Sequence, residues 1–283
     1  MNQHSGDLPQ IDDDRLSRLI DAAHLALDAA APITTAGFRQ PLIVENKLAG
    51  MAVAENSTAT RFDPVTAADR DAEHAIRDCL QKQAPGVGFM GEETGTQLGE
   101  SGLMWVVDPI DGTRAYISGM PLWGTLIALF DGQEVVFGML DQPVMGERFV
   151  GQATGTSVRS HDAVLQLRTR DTAQISDAIL YCTTTEMFIE ASQRAAFDRV
   201  SAQVAMTRFG GDCYAYAMLA AGHIDIVIEC DLKPYDIQAL IPVVRGAGGM
   251  LTNWHGGSAA AGGCVVACSS SVLHGQVLAL LGQ

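Results

Sequence analysis

The sequence predicts an α/β protein, with an α+β N-terminal half (1–150) and an α/β C-terminal half (151–283). Three observations carry this expectation. Residues 15–30 repeat apolar side chains (Leu16, Leu19, Ile20, Ala23, Leu27) at the i, i+3, i+4 interval of an amphipathic helix. Thr125–Phe130 and Glu134–Leu140 are strand-length runs joined through Asp131-Gly132, a hairpin signal. Beyond residue 150, strand candidates (Ala178–Tyr181, Ile224–Glu229, Cys264–Ala267) alternate with helix candidates (186–204, 212–221, 235–247, 271–281), the pattern of helices covering a sheet.

Taken in order, the first helix is expected over 15–30, and residues 40–62 are irregular. A second helix starts at Thr66, with Asp69 as its capping-box partner and Ala72, Ile76 and Leu80 on its apolar face. Met104–Val107 reads as a strand that breaks at Asp108-Pro109-Ile110-Asp111-Gly112, a stretch dense in turn formers. The Gly-rich segment 255–263 is expected to be a surface loop. No repeat or flexible linker separates the halves, so they are expected to pack as one body.

Composition narrows the function. Apolar residues make up 47% and charged residues 18%, which is globular rather than disordered. No apolar stretch approaches the roughly 18–20 residues of a membrane span. Met1–Gln10 is polar and runs into Asp12, Asp13 and Asp14, unlike a signal peptide, so a cytoplasmic protein is expected. A net charge of −15 argues against nucleic acid as a partner. An enzyme that attracts phosphate despite this charge needs divalent cations, which invert the local sign. The six cysteines show no CxxC pair and no finger spacing, so reduced structural thiols are expected and zinc is not supported.

Three acidic segments carry the candidate chemistry: Gly91-Glu92-Glu93-Thr94-Gly95, Asp108-Pro109-Ile110-Asp111-Gly112-Thr113, and Pro234-Tyr235-Asp236. Pro109 and Gly112 turn the chain sharply after Asp108, bringing both carboxylates and the Ile110 carbonyl into one small volume. Hard cations such as Mg²⁺ take oxygen ligands of this kind. Asp111-Gly112 alone is more often a plain turn than a metal site. Pro109 and Ile110 break the alternation of an EF-hand, the two acids lack Asp-x-Asp spacing, and no phosphate-binding P-loop occurs.

These motifs resemble the inositol monophosphatase family. The Asp-Pro-Ile-Asp-Gly-Thr run is similar to its first signature, preceded by its Gly-Glu-Glu element. Asp236 with Gly246-Ala247-Gly248-Gly249 resembles the second, and Val65-Thr66-Ala67-Ala68-Asp69 the segment ahead of both. The four matches span residues 63–249. The resemblance implies a layered α-β-α-β-α sandwich, commonly a homodimer, and a small soluble phosphomonoester as substrate. It implies two or three Mg²⁺ ions on Glu92, Asp108, the Ile110 carbonyl, Asp111 and Asp236. Catalytic roles fall to Asp69, Thr113 and Glu92, with Asp69 and Thr113 orienting the attacking water. The Gly112 and Thr113 amides hold phosphate, and Glu93 supports the site. One departure concerns a Lys that relatives often carry shortly before the Asp-x-Val-Thr segment. Here Ser57–Phe62 offers only Arg61.

Arg208–Tyr216 and Glu229 with Leu232–Asp236 resemble the histidinol-phosphatase branch. Histidinol phosphate carries an ammonium group and an imidazole, which Asp212 and Glu229 can meet as acids beyond the metal set. Asp212 also reads as a helix N-cap and Glu229 as a solvated strand end. Lys233 reaches either a phosphate or a surface acid. The expected activity is histidinol-phosphate hydrolysis, a step of histidine biosynthesis. The alternatives are an inositol-1-phosphate or broad-specificity phosphatase, and a non-catalytic metal-binding regulator.

Overall fold

The computed structural model describes residues 11–41, 43–47 and 64–282. Arg61 and the Met1–Gln10 segment lie outside them. Chain order runs α1 (Asp13–Gly37), β1 (Glu45–Asn46), β2 (Pro64–Val65), α2 (Ala67–Gln83), β3 (Gly88–Gly91), β4 (Gly95–Gln97), β5 (Met104–Asp111) and α3 (Thr113–Ile117). A meander follows: β6 (Gly124–Phe130), β7 (Val135–Gln142), β8 (Glu147–Gln152), β9 (Gly155–Ser160) and β10 (Ala163–Gln166). The remainder is β11 (Ile179–Cys182), α4 (Ala191–Ser201), β12 (Met206–Phe209), α5 (Asp212–Ala220), β13 (Ile226–Leu232), α6 (Pro234–Ile237), α7 (Leu240–Gly246), β14 (Met250–Asn253), β15 (Gly263–Cys268) and α8 (Ser271–Leu281).

Two large sheets organise these elements, beside a two-stranded pairing of β1 with β2. The larger has eight strands in the order β10-β9-β8-β7-β6-β5-β3-β4, and the smaller five in the order β12-β11-β13-β15-β14. Strand alternation gives each sheet two apolar faces. Trp105, Val107, Ile127 and Phe137 bury one face of the large sheet against Ala23 and Leu27 of α1 and Ile76 of α2. Val106, Leu126 and Leu140 turn the other way, onto α5, α7 and Val227, Val265 and Ala267 of the small sheet. The far face of the small sheet packs Ile226, Ile228 and Val266 on Phe197 of α4 and Val277 of α8. The result is the expected α-β-α-β-α sandwich. Each fully buried Leu, Ile or Phe contributes about 1.5–3 kcal/mol through removal from water.

Some expectations change. The first helix runs past Pro32 to Gly37. Its last turn is held from outside: the Tyr116 hydroxyl donates to the Thr34 carbonyl at 2.7 Å. The stretch 235–247 is two helices, α6 and α7, and residues 186–190 precede the α4 helix rather than forming its first turn. Residue 150 falls inside β8, and the change of sheet comes between Gln166 and Ile179, because β8, β9 and β10 continue the antiparallel ladder.

The expectation of six reduced thiols is also corrected. Cys230 and Cys264 form a disulfide, leaving Cys79, Cys182, Cys213 and Cys268 free. The reason is tertiary. Antiparallel β13 and β15 pair Glu229 with Val265, so the next residue along β13 meets Cys264.

Candidate active site

The second acidic segment is shaped by a β-bulge. On the β5–β6 ladder, Asp108 pairs with Leu126 but Asp111 pairs with Gly124, so β5 carries one extra residue. Positions three apart on a regular strand face opposite sides; the extra residue returns Asp108 and Asp111 to the same side. The Thr125 hydroxyl donates to the Pro109 carbonyl at 2.8 Å, satisfying the bulged backbone. Gly112 then takes a left-handed conformation (φ 85°) and caps α3.

Two other elements close on this bulge. Parallel β3 sets Gly91 beside Val107, which brings Glu92 alongside Asp108. The carboxyls of Glu92 and Asp108 lie close enough to shift each other's titration. From the other side, Asp236 enters on the first turn of α6, its Oδ2 accepting from the Lys233 amide at 2.7 Å. Ligand oxygens of Asp108, Asp111 and Asp236 lie within 4.8 Å of one another.

The electrostatics follow from burial and crowding. Burial, then Glu92, Asp111 and Asp236, lift the Asp108 carboxyl well above its usual range. Asp111 is lifted likewise by burial and by Asp236 and Asp212, although Cys213 N donates to its Oδ2 at 2.8 Å. Asp236 is pushed up to about 7, chiefly by burial. Carboxyls crowded this way call for positive charge beside them, and the all-oxygen donor set of Asp108, Asp111 and Asp236 suits a hard divalent cation. Asp108, Asp111 and Asp236 therefore fit a metal centre, and Glu92 and Ile110 line the same cleft.

These groups open on a cleft of about 410 Å³, lined also by Gly112, Thr113, Arg114, Thr183, Glu186, Asp212, Asp231 and Lys233. The Thr113 hydroxyl donates to the Ile110 carbonyl at 3.1 Å. Asp69 is 1% exposed, does not line the cleft, and is close enough to Glu92 to raise its pKa. Its Oδ2 accepts from the Thr66 amide at 2.9 Å and the Thr66 hydroxyl at 2.6 Å, the expected capping box. Burial raises Asp69 despite these bonds.

Asp212 lies in the cleft wall with φ 46°, a left-handed backbone that few non-glycine residues adopt. It is the first residue of α5 rather than its N-cap. Burial and then Glu229 push its carboxyl up to about 7. Glu229 itself does not line the cleft, which differs from the expectation that it meets substrate. Its carboxylate accepts from Thr183 N at 3.1 Å and the Tyr216 hydroxyl at 2.9 Å. Thr183 Oγ1 in turn accepts from Asp212 N at 3.0 Å, so Glu229 supports the wall behind Asp212. Lys233 pairs with Asp231 at 3.0 Å.

Lys47 was not legible as a site residue. Its ammonium meets Glu92 Oε1 at 2.8 Å and Glu93 Oε1 at 2.5 Å. The usable signal was a cation lying further upstream of Asp69 than the stretch 57–62 in which one was expected. Thr183, Glu186 and Asp231, which come from the second half, carried no motif.

A five-layer α/β sandwich opening on a partly buried cluster of three aspartates fits a metal-dependent hydrolase. The model described as "Inositol monophosphatase family" matches residues 15–283, and the chain belongs to that family. It is 35% identical over 281 residues to the bifunctional phosphatase IMPL2, chloroplastic, of Arabidopsis thaliana, covering 95% of this chain and 76% of that protein. It is 34% identical over 226 residues to the histidinol-phosphatase of Mycobacterium tuberculosis, covering 79% of this chain and 86% of the relative. A solved inositol monophosphatase from Zymomonas mobilis superposes with a TM-score of 0.80 at 34% identity, covering 96% of this chain and all (100%) of that one. The chain is a phosphoric monoester hydrolase of a metal-dependent family whose members act on small-molecule substrates. Among the described residues, no helix is long and apolar enough to cross a membrane.

Proposed function

We propose that the protein hydrolyses histidinol phosphate to histidinol and phosphate, a step of histidine biosynthesis, with two or three Mg²⁺ ions as cofactor. The observation that carries the choice of substrate is Asp212. It is an acid outside the Asp108, Asp111 and Asp236 cluster, set in the cleft wall by a strained backbone. Residues held in sparsely populated conformations cluster at functional sites. A leaving group with an ammonium and an imidazole suits such an acid, with Glu186 and Asp231 also on the cleft. Relatives named as histidinol-phosphatases support the same substrate.

Glu92, Asp108, the Ile110 carbonyl, Asp111 and Asp236 hold the cations. When bound, Mg²⁺ lowers the pKa of water and neutralises phosphoryl charge. The chain's residues do the remainder. Gly112 and Thr113 offer backbone amides to the phosphate at the start of α3. Thr113 and Asp69 orient the attacking water, and Asp69 takes up its proton. The water oxygen bonds to phosphorus as the ester P–O bond breaks; the leaving oxygen takes a proton from solvent and departs as histidinol, while Asp69 returns the proton it accepted to solvent.

The second reading, an inositol-1-phosphate phosphatase, is favoured by the likeness to the Zymomonas mobilis structure. Phosphate release from both substrates, with Mg²⁺ and with EDTA, separates the two. Asp212→Ala should raise KM for histidinol phosphate far more than for inositol-1-phosphate. Equal effects on both sink the substrate assignment, and absence of turnover on any phosphomonoester sinks the catalytic reading.

A further inference from the structure

Asp69, Glu73 and Arg77 recur every four residues along α2 and so share one face of the helix. Glu73 is 0% exposed and lies outside the cleft. A buried carboxylate is costly unless strongly hydrogen-bonded. Glu73 meets that cost with two consecutive backbone amides: Glu93 N donates to Oε2 at 2.8 Å and Thr94 N to Oε1 at 2.7 Å. These are the two residues that follow Glu92. One turn further along α2, Arg77 holds the Thr94 hydroxyl at 3.0 Å.

Gly91 completes the fit. A Cβ built there would stand 2.4 Å from the Glu73 carboxyl carbon, so no side chain fits while the carboxylate stays on its amides. The Gly91-Glu92-Glu93-Thr94 turn is moulded on this one buried acid. The same turn presents Glu92 to Asp108 on one side and Glu92 and Glu93 to Lys47 on the other.

We propose that Glu73 is a positioning residue of the metal centre, fixing the turn that aims Glu92 at Asp108. Both carboxylate oxygens are needed, because the two donors are separate amides. Glu73→Gln keeps the shape but turns one acceptor into a donor facing an N–H. The clamp also ties the metal ligand Glu92 to the helix that carries Asp69, so one element sets both. This inference rests on the metal reading above.

The test compares metal-free wild type, Glu73→Gln and Gly91→Ala by Mn²⁺ titration calorimetry, with thermal melting in EDTA and hydrogen exchange of the 93–94 amides alongside. Supporting outcomes in both variants are a Mn²⁺ dissociation constant raised about 10- to 100-fold, as for lost partners of metal ligands, and faster exchange at Glu93 and Thr94. Gly91→Ala pushes on the carboxylate from the opposite side and serves where Glu73→Gln does not fold. Wild-type Mn²⁺ affinity in a folded variant overturns the clamp, whatever the melting temperature does. A wild type that binds no Mn²⁺ overturns the metal reading and the clamp together; binding by the wild type and equally by both variants removes the clamp alone.

Discussion

Lys47 Nζ stands 2.8 Å from Glu92 Oε1, placing an ammonium among carboxyls that the fold otherwise crowds together. Burial opposes the Lys47 charge, yet Glu92 and Glu93 together lift its pKa well above the usual range. Burial raises the two glutamates in spite of Lys47. The ammonium is the site's own counter-charge in the metal-free protein. Lys47→Met should therefore lower stability in EDTA by about 1–2 kcal/mol, between the values for exposed and buried pairs. Saturating Mg²⁺ should shrink that deficit. An equal loss of melting temperature with and without Mg²⁺ would show that Lys47 acts by packing instead.

Asp69 and Asp236 should separate chemistry from metal binding. Asp69→Asn is expected to lower kcat by about 10²–10⁴, the span of a lost general base, with Mn²⁺ affinity within about threefold of wild type. Asp236→Asn, which removes one of the three clustered carboxylates, should lose metal binding and turnover together. Parallel kinetics and calorimetry decide this; a shared loss of metal in both variants would move Asp69 into the ligand set.

The Cys230–Cys264 disulfide closes a sequence separation of 34 residues between β13 and β15. Chain entropy assigns such a loop about 3–4 kcal/mol. Cys264→Ser should cost up to that amount in denaturant unfolding. Added reductant should lower the wild-type midpoint and leave that of the variant unchanged. A reductant effect of the same size in both proteins would count against the bond.

His24 gives stability a pH dependence. Burial first, then Arg148 and Arg159, lowers its pKa, against weaker opposition from Asp28 and Asp21. Arg148 Nη1 lies 3.3 Å from its Nδ1, which suits an unprotonated acceptor. As pH falls below about 6.5, the unfolded chain takes up the proton first, so this contribution is present above that value and lost below it. The drop in melting temperature between about pH 7.5 and about pH 5.5 should be smaller in His24→Gln than in wild type. Identical drops would remove His24 from the account.

Much of the fold was readable because its signals are local. Helix periodicity placed α1, Thr66 and Asp69 capped α2, and Asp131-Gly132 set the β6–β7 hairpin. Short edge strands such as β10 (Ala163–Gln166), with all four residues exposed, show no alternation of apolar and polar positions and were invisible. In the site, Asp108, Asp111, Glu92 and Asp236 stood in recognisable motifs. Glu229 looked like a substrate acid because charge is visible in a sequence and direction is not.

By itself, the sequence determined the layered α/β architecture, the acidic motifs and the family to which they belong, since backbone period and turn chemistry act over a few residues. Only the tertiary structure decided that Lys47 faces Glu92, that Glu229 backs Asp212 through Thr183, that Cys230 meets Cys264, and that one bulge turns Asp108 and Asp111 to the same side. Each of these depends on strand register or on burial between segments far apart in the chain, and neither is written in local sequence.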